Sequence, residues 1–447
     1  MIFSNYKELA TSPLRERVLQ WADEGIASVL PEVFIPGAFS WTGDFIVVNG
    51  KHVPAKGKRI FVVGAGKASA SMAVELEKIL GTENITAGVV LSNYTKSALK
   101  KIQVHESDHP IPTERSVLGA KKILSLKEEF GIGENDIVIA LMSGGGSSLM
   151  AYPAEGLTIG DKQKTIEALI RSGGNVHEIT VVKKKISQVK GGMLAEHFYP
   201  TPVVSLVLSD VVGNNLDVIA SGPFTEDFST FKDALDIIKK RGIEKAIPRT
   251  VISFLEKNKD VPACRKSFSH VHQEILADNN TALRRIKSLA EGEGVEVFLT
   301  QGTQGEAKEV AYKICSDIHN QKIAIPTLFL YGGETTVTLD YPHKKGGRNQ
   351  EFILACLNYL NVRPFKSDWC IASVGTDGID FIEESTGAII DPESLKSAKE
   401  KGLNVSISSF LEKHKTGRFL DSINSNISTN GPTGTNVCDI MMFFLTP

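Results

Sequence analysis

Arg59-Ile60-Phe61-Val62-Val63-Gly64-Ala65-Gly66-Lys67-Ala68-Ser69 decides the fold. Residues 59–63 form a short apolar run rich in β-branched side chains, which predicts a buried strand. Gly64 ends it, and residues 67–80, rich in Ala, Met, Leu and Glu, predict a helix. The same alternation continues outward. Strands are expected at 87–91, 136–142 and 203–208, with helices at 116–130, 161–171 (Thr158 as its cap) and 183–196, the last interrupted by Gly191-Gly192. Short buried strands alternating with helices imply a parallel sheet. In such a sheet, ligand-binding loops follow the carboxyl ends of the strands.

At 447 residues the chain exceeds what one core usually organises, so two domains are expected, 1–240 and 241–447. Before residue 40, Leu14, Val18, Trp21, Ala22 and Ile26 recur at helical spacing. In the second half, strands are expected at 295–299, 327–331, 336–339, 370–374 and 439–445. Gly332-Gly333 is read as a turn between neighbours, which makes that sheet mixed. The fold class is therefore α/β, a Rossmann-like N-terminal domain with a mostly parallel sheet followed by a mixed-sheet α/β domain. Hydrophobic residues make up 42% and charged residues 23%, and 50 Lys+Arg face 52 Asp+Glu. That balance supports neither a nucleic-acid nor a membrane surface. No basic-then-apolar leader and no span of membrane length is present, and the five scattered cysteines fit reduced thiols in a cytoplasm.

Chemistry concentrates in the loops. Gly64, Gly66 and Lys67 let backbone N–H groups and a helix N-terminus approach a phosphate; the other reading is a tight strand-to-helix turn with a surface lysine. Phe61 stands where a P-loop has its leading glycine, and Ser69 replaces the last glycine of a dinucleotide finger. Ser92-Asn93 offers no carboxylate for a ribose. Ser143-Gly144-Gly145-Gly146-Ser147-Ser148 suits an anion-binding nest, because three consecutive glycines cost backbone entropy that a plain turn does not require. Asp210 follows another strand and could hold Mg²⁺ through water, accept a hydroxyl proton, or simply cap the next segment. Arg348, at the start of a helix behind Gly346-Gly347, suits a carboxylate or phosphate, or is solvated. Asp377 and Asp380 could bind Mg²⁺ or make Asx turns. Lys183-Lys184-Lys185 reads as a solvated helix face. His105 and His109, beside Pro110 and Pro112, do not align as helical metal ligands.

In this order, the blocks resemble the glycerate 2-kinase family of the MOFRL type, some of whose members are labelled hydroxypyruvate reductase. The blocks are residues 63–69, Asp108-His109-Pro110, Lys190-Gly191-Gly192, residues 209–213, residues 219–223, Gly332-Gly333-Glu334, residues 346–351 and residues 431–436. The resemblance implies ATP- and Mg²⁺-dependent phosphorylation of the 2-hydroxyl of D-glycerate in a cleft between two α/β domains. On that reading Lys67, Arg348 and Asp210 carry the chemistry. The nucleotide falls to Gly64, Gly66, Ser69, Ser143, Gly144, Gly145, Gly146, Ser147 and Lys190, with Thr433, Thr435 and Asn436. Gly347, Asn349 and Glu334 face the substrate, and Asp210 and Asp377 the metal. A homodimer is one assembly open to it. Lys183, Lys185, Asn214, Asn215, Glu383 and Glu384 depart from the family pattern, which removes two carboxylates. The rival readings are a nicotinamide-dependent hydroxypyruvate reductase and a homologue that binds a phosphorylated metabolite without turnover.

Overall fold

The computed structural model describes residues 1–93, 99–263, 267–339, 346–380 and 385–447; Cys264, Glu383 and Glu384 lie outside these. Two units result, Phe34–Leu276 and a second made of Met1–Val33 with Ala277–Pro447.

In the first unit, Phe39–Trp41 (β1), Phe45–Val48 (β2) and Lys51–Pro54 (β3) pair as a small antiparallel sheet. The main sheet contains Arg59–Ala65 (β4), Ile85–Ser92 (β5), Ile102–Glu106 (β6), Asp136–Met142 (β7), Val203–Leu208 (β8) and Val271–Ala277 (β9), in the order β6-β5-β4-β7-β8-β9. The pairs β5–β6, β4–β5, β4–β7 and β7–β8 are parallel, as alternation with helices requires. Every position of β4 after Arg59 is buried, as is all of β7. Phe61, Val63, Val138, Ala140 and Phe224 share one core, where each large apolar side chain contributes about 1.5–3 kcal/mol. The chain runs outward from β4 to β6 and then returns to β7. The strand order thus reverses between β4 and β7, and a crevice opens beyond their carboxyl ends.

The helix expected over 183–196 is two helices, Val176–Lys185 and Met193–Phe198. Gly191 (φ 58°) and Gly192 (φ 81°) adopt left-handed backbone between them, a conformation glycine takes without steric cost. Ile159–Arg171 is capped by Thr158 as expected. The expected division near residue 240 moves to 276. Phe231–Lys240 and Arg249–Lys257 share a core with the earlier helices through Leu169, Val182, Leu235, Ile238 and Val251.

The second unit has Glu296–Glu306 (β10), Thr327–Thr336 (β11), Asp368–Gly375 (β12), Gly387–Ile390 (β13), Asn426–Ile427 (β14) and Asp439–Thr446 (β15), ordered β10-β11-β15-β12-β13-β14. Only the β10–β11 pairing is parallel, so the sheet is mixed. Gly332-Gly333 does not turn; it lies inside β11, opposite Ile440 and Asp439. A Cβ on Gly333 would fall 2.1 Å from the Thr303 carbonyl oxygen, where β10 slips register. Residues 1–33 join this unit because the helix Pro13–Ala27 buries its apolar face here. Trp21 meets Phe444 edge-on at 5.0 Å between centroids, and Arg15 pairs with buried Asp391 at 2.9 Å. Among the described residues, no helix is long and apolar enough to cross a membrane.

Candidate functional site

Two glycine loops interlock at the β4/β7 switch point. Gly66 donates its N–H to Leu91 O (3.1 Å), and Lys67 N–H reaches Gly144 O (2.8 Å). The Ser143 hydroxyl accepts the Ala68 N–H at 3.0 Å, while Ser69 Oγ donates to Leu141 O at 2.9 Å. Both serines therefore hold the loops to each other. A Cβ on Gly66 would stand 2.0 Å from Ser143 Oγ, so this approach requires glycine.

The second loop is packed from outside by three side chains. A Cβ on Gly144 would fall 1.9 Å from an Asp210 carboxylate oxygen. One on Gly145 would fall 3.0 Å from the His109 ring and 3.2 Å from Lys67 Cγ. Lys67, His109 and Asp210 thus pack against Gly144-Gly145, whose lack of side chains lets them approach. Within the loop, Gly146 N–H closes onto Ser143 O and Ser148 N–H onto Gly145 O. Replacing Gly144 by alanine must displace the Asp210 carboxylate. We expect folding to survive and turnover to fall by about a hundredfold, the scale of a 1 Å misplacement; wild-type turnover with an unchanged melting temperature would contradict this placement.

Strain marks the neighbouring turn. Ala220 (φ 51°), Ser221 (φ 64°) and Gly222 (φ 60°) are consecutively left-handed, which costs about 1–3 kcal/mol for each non-glycine residue. Ser221 Oγ lies 2.9 Å from Ser147 Oγ, so the strained turn meets the glycine loop directly. Lys190 is fully buried beneath them. Its ammonium donates to Ser147 O (2.7 Å) and Met150 O (3.0 Å), and burial, with Lys162 and Lys183 nearby, holds its pKa well below the usual value. Lys184 and Lys185 are not a solvated face: Lys184 pairs with Asp217, and Lys185 with Asp227 at 2.7 Å, because residues 217–227 fold over this helix. His105 Nε2 donates to Arg115 O at 2.9 Å, outside the cluster. Beyond β5, Ser92 Oγ reaches Lys67 O at 3.4 Å and places no carboxylate where a nicotinamide ribose would need one.

The second unit gathers the remaining residues at the carboxyl ends of β11 and β12 and the start of β15. Arg348 opens the helix Arg348–Val362 with Gly347 as its cap. Its guanidinium grips Asp439 through Nε (2.6 Å) and Nη2 (2.8 Å), and Nη1 meets Glu334 at 3.1 Å. Burial opposes this charge, but Asp439, Glu334 and Asp380 more than offset it and raise the pKa. Asn349 Nδ2 donates to Asp439 (3.1 Å) and its Oδ1 accepts from Ser373 Oγ. The anion that this helix N-terminus attracts is the chain's own Asp380, whose oxygens accept the N–H groups of Asn349 (3.1 Å) and Gln350 (2.8 Å). Asp377 Oδ1 accepts the Ile379 N–H at 3.1 Å, an Asx turn. Thr433 Oγ1 donates to Thr376 O, Thr435 Oγ1 to Val29 O, and Asn436 Oδ1 accepts the Cys438 N–H. These three residues hold their own loop in place.

Burial, with repulsion from Asp439, raises the Asp380 pKa to about 7. In the unfolded chain an aspartate titrates near about 4. Between these values the folded chain holds the extra proton, so the Asp380 contribution to stability falls as pH rises from about 4 to about 7. Thermal unfolding across that window should show this slope in wild type and lose it in Asp380→Asn; an identical slope in both would refute the assignment.

Among the described residues, no group of three or more His, Cys, Asp or Glu side chains is placed to hold a metal ion. Asp210 as a single carboxylate still suits Mg²⁺, which commonly takes one or two carboxylates and completes its shell with water and substrate phosphates.

The strand order, and the glycine loops at its switch point, place the first unit among the doubly wound α/β proteins that bind ligands in such a crevice. Family models described as "Domain of unknown function (DUF4147)" and "MOFRL family" match residues 17–256 and 327–439. The chain is 36% identical to a glycerate 2-kinase of Pyrococcus horikoshii, over 97% of this chain and 98% of that one. It is 35% identical to a D-glycerate 2-kinase of Thermotoga maritima, over 86% and 90%. A crystal structure of glycerate kinase from Thermotoga maritima superposes with a TM-score of 0.81 at 32% identity, covering 96% of this chain and 99% of that one. The chain belongs to the glycerate 2-kinase family of the MOFRL type.

Proposed function

We propose that the chain is a glycerate 2-kinase that transfers the γ-phosphate of ATP to the 2-hydroxyl of D-glycerate, giving 2-phosphoglycerate and ADP. The observation that carries this reading is the convergence of Lys67 and Asp210 on Gly144-Gly145 at the β4/β7 switch point. Phosphoryl transfer asks for positioning and charge neutralisation more than covalent help. The glycine loops offer close backbone approach to phosphates, and Lys67 supplies a cation beside them. The 2-hydroxyl oxygen attacks the γ-phosphorus, the bond to the bridging oxygen breaks with its electrons leaving on ADP, and the hydroxyl proton passes to a carboxylate, for which Asp210 is the candidate. If Asp210 holds Mg²⁺ instead of taking the proton, the ion, completed by the substrate phosphates, would neutralise charge on the nucleotide.

Arg348 is assigned to an anionic group of the substrate through its exposed edge, with Asn349, Gly347 and Glu334 around it. The described cysteines, Cys315, Cys356, Cys370 and Cys438, are buried thiols outside any disulfide, in keeping with a reducing cytoplasm. The missing ribose carboxylate near Ser92 disfavours the nicotinamide-dependent reductase. ADP release across a panel of small hydroxy acids, with the phosphorylated position identified by NMR, tests the proposal. NADH oxidation by hydroxypyruvate in the absence of any ADP release would overturn it.

A further inference from the structure

A pocket of about 1140 Å³ lies within the first unit, apart from the two glycine loops. Its walls come from the helix Val176–Lys185, residues 224–229, the helix Phe231–Lys240 and residues 268–273. We infer that this pocket receives the nucleoside end of the phosphoryl donor; the inference rests on the kinase reading and names where the base and ribose go.

The loops at 64–69 and 143–148 are built of Gly, Ala, Ser and Lys and present no apolar plate to a base. The pocket has what they lack. Phe228, 67% exposed, buries little of its aromatic face in the chain itself and lines the pocket together with Phe268. Aromatic faces stack bases without regard to sequence. The carboxylates of Glu226, Asp233 and Asp236 also line it. His177, Lys184 and Lys240 line it too, so its walls carry both charges; the carboxylates can accept hydrogen bonds from ribose hydroxyls and an exocyclic amine.

The turn at 220–222 links the pocket wall to the phosphate loops. A Cβ on Gly222 would meet Asp217 O at 3.1 Å and Thr225 Cβ at 3.4 Å, both pocket residues. On its other side the same turn reaches the glycine loop through Ser221 Oγ and Ser147 Oγ at 2.9 Å. Gly191 and Gly192 donate to Ser221 O (3.0 Å) and Gly222 O (2.8 Å), and side chains there would strike Asp227 and the Phe268 ring. The strained turn at 220–222 therefore touches both a wall of the pocket and the glycine loop. A ligand reaching from the pocket to the glycine loop would run along that turn.

Phe228→Ala removes the exposed ring without touching the core, and Ile237→Trp fills the pocket from its helix. Each should raise KM for ATP about tenfold, the order of one lost stacking contact, while kcat and KM for glycerate stay within about twofold. Adenosine alone, followed by calorimetry without glycerate, should bind wild type and be lost in both variants. Unchanged KM for ATP in both variants, or undiminished adenosine binding, overturns the inference; so does a pocket that binds spermidine and not adenosine. The calorimetric arm is independent of turnover. A chain that binds adenosine here yet phosphorylates no hydroxy acid would refute the kinase reading and leave the pocket assignment standing.

Discussion

Lys67→Ala is expected to lower turnover by about a hundredfold or more, with little change in stability. Lys67 lies in the turn after β4, where its N–H is fixed to Gly144 O at 2.8 Å and its side chain runs along Gly145. The backbone bond survives truncation, so the loop should keep its shape. What is lost is a positive charge beside the loop that is assigned the phosphates. Such a charge acts where negative charge must be held in place during transfer, and a preorganised cation costs no reorganisation at that moment. Lys67→Arg keeps the charge but moves it outward and changes its shape, so partial recovery is expected and full recovery is not. A coupled ADP assay with saturating substrates reads both variants. Alanine turnover within a few fold of wild type, at equal melting temperature, would remove Lys67 from the chemistry.

The strand, turn and helix around Gly64 were legible because they are local. A short run of β-branched residues ended by glycine favours a buried strand, and a Cβ on Gly66 would fall 2.0 Å from the Ser143 hydroxyl, so a side chain there is excluded. The triple glycine was legible for the same reason, and in the structure Gly144 and Gly145 also let Asp210, His109 and Lys67 approach. What failed to show in the sequence is long-range. Arg348 and its partner Asp439 are 91 residues apart, and Asn349 and Asp380 are 31 apart. No periodicity connects such pairs, so Arg348 read as a cation awaiting a ligand when most of its fork is already bound. The spacing of His109 from His105 carries no metal signal, and its place against Gly145 depends on a loop path the local sequence does not dictate. Gly332-Gly333 looked like a turn because glycine pairs usually make one. Here they let β11 pass close to the bulged part of β10.

Arg348→Ala should damage both stability and turnover, and the two effects can be separated. Asp439 is fully buried, and its two oxygens are held by Arg348 Nε and Nη2, with Asn349 adding a third bond. Removing the guanidinium leaves a buried carboxylate without its cation, a loss of about 3–5 kcal/mol in comparable pairs. Arg348→Lys restores charge but only as a point, and cannot bridge both oxygens, so an intermediate loss of stability is expected. The double variant Arg348→Ala/Asp439→Asn removes the stranded charge and should regain much of the stability, because the penalty lies in the unpaired carboxylate more than in the missing bond. Turnover should not return with it if the guanidinium also meets substrate through the edge it shows to Glu334. Urea unfolding and the ADP assay on the three variants decide the point. Recovery of both stability and turnover in the double variant would make Arg348 a structural clamp on Asp439. Recovery of stability alone assigns it a second role at the substrate, beyond the one its salt bridge explains.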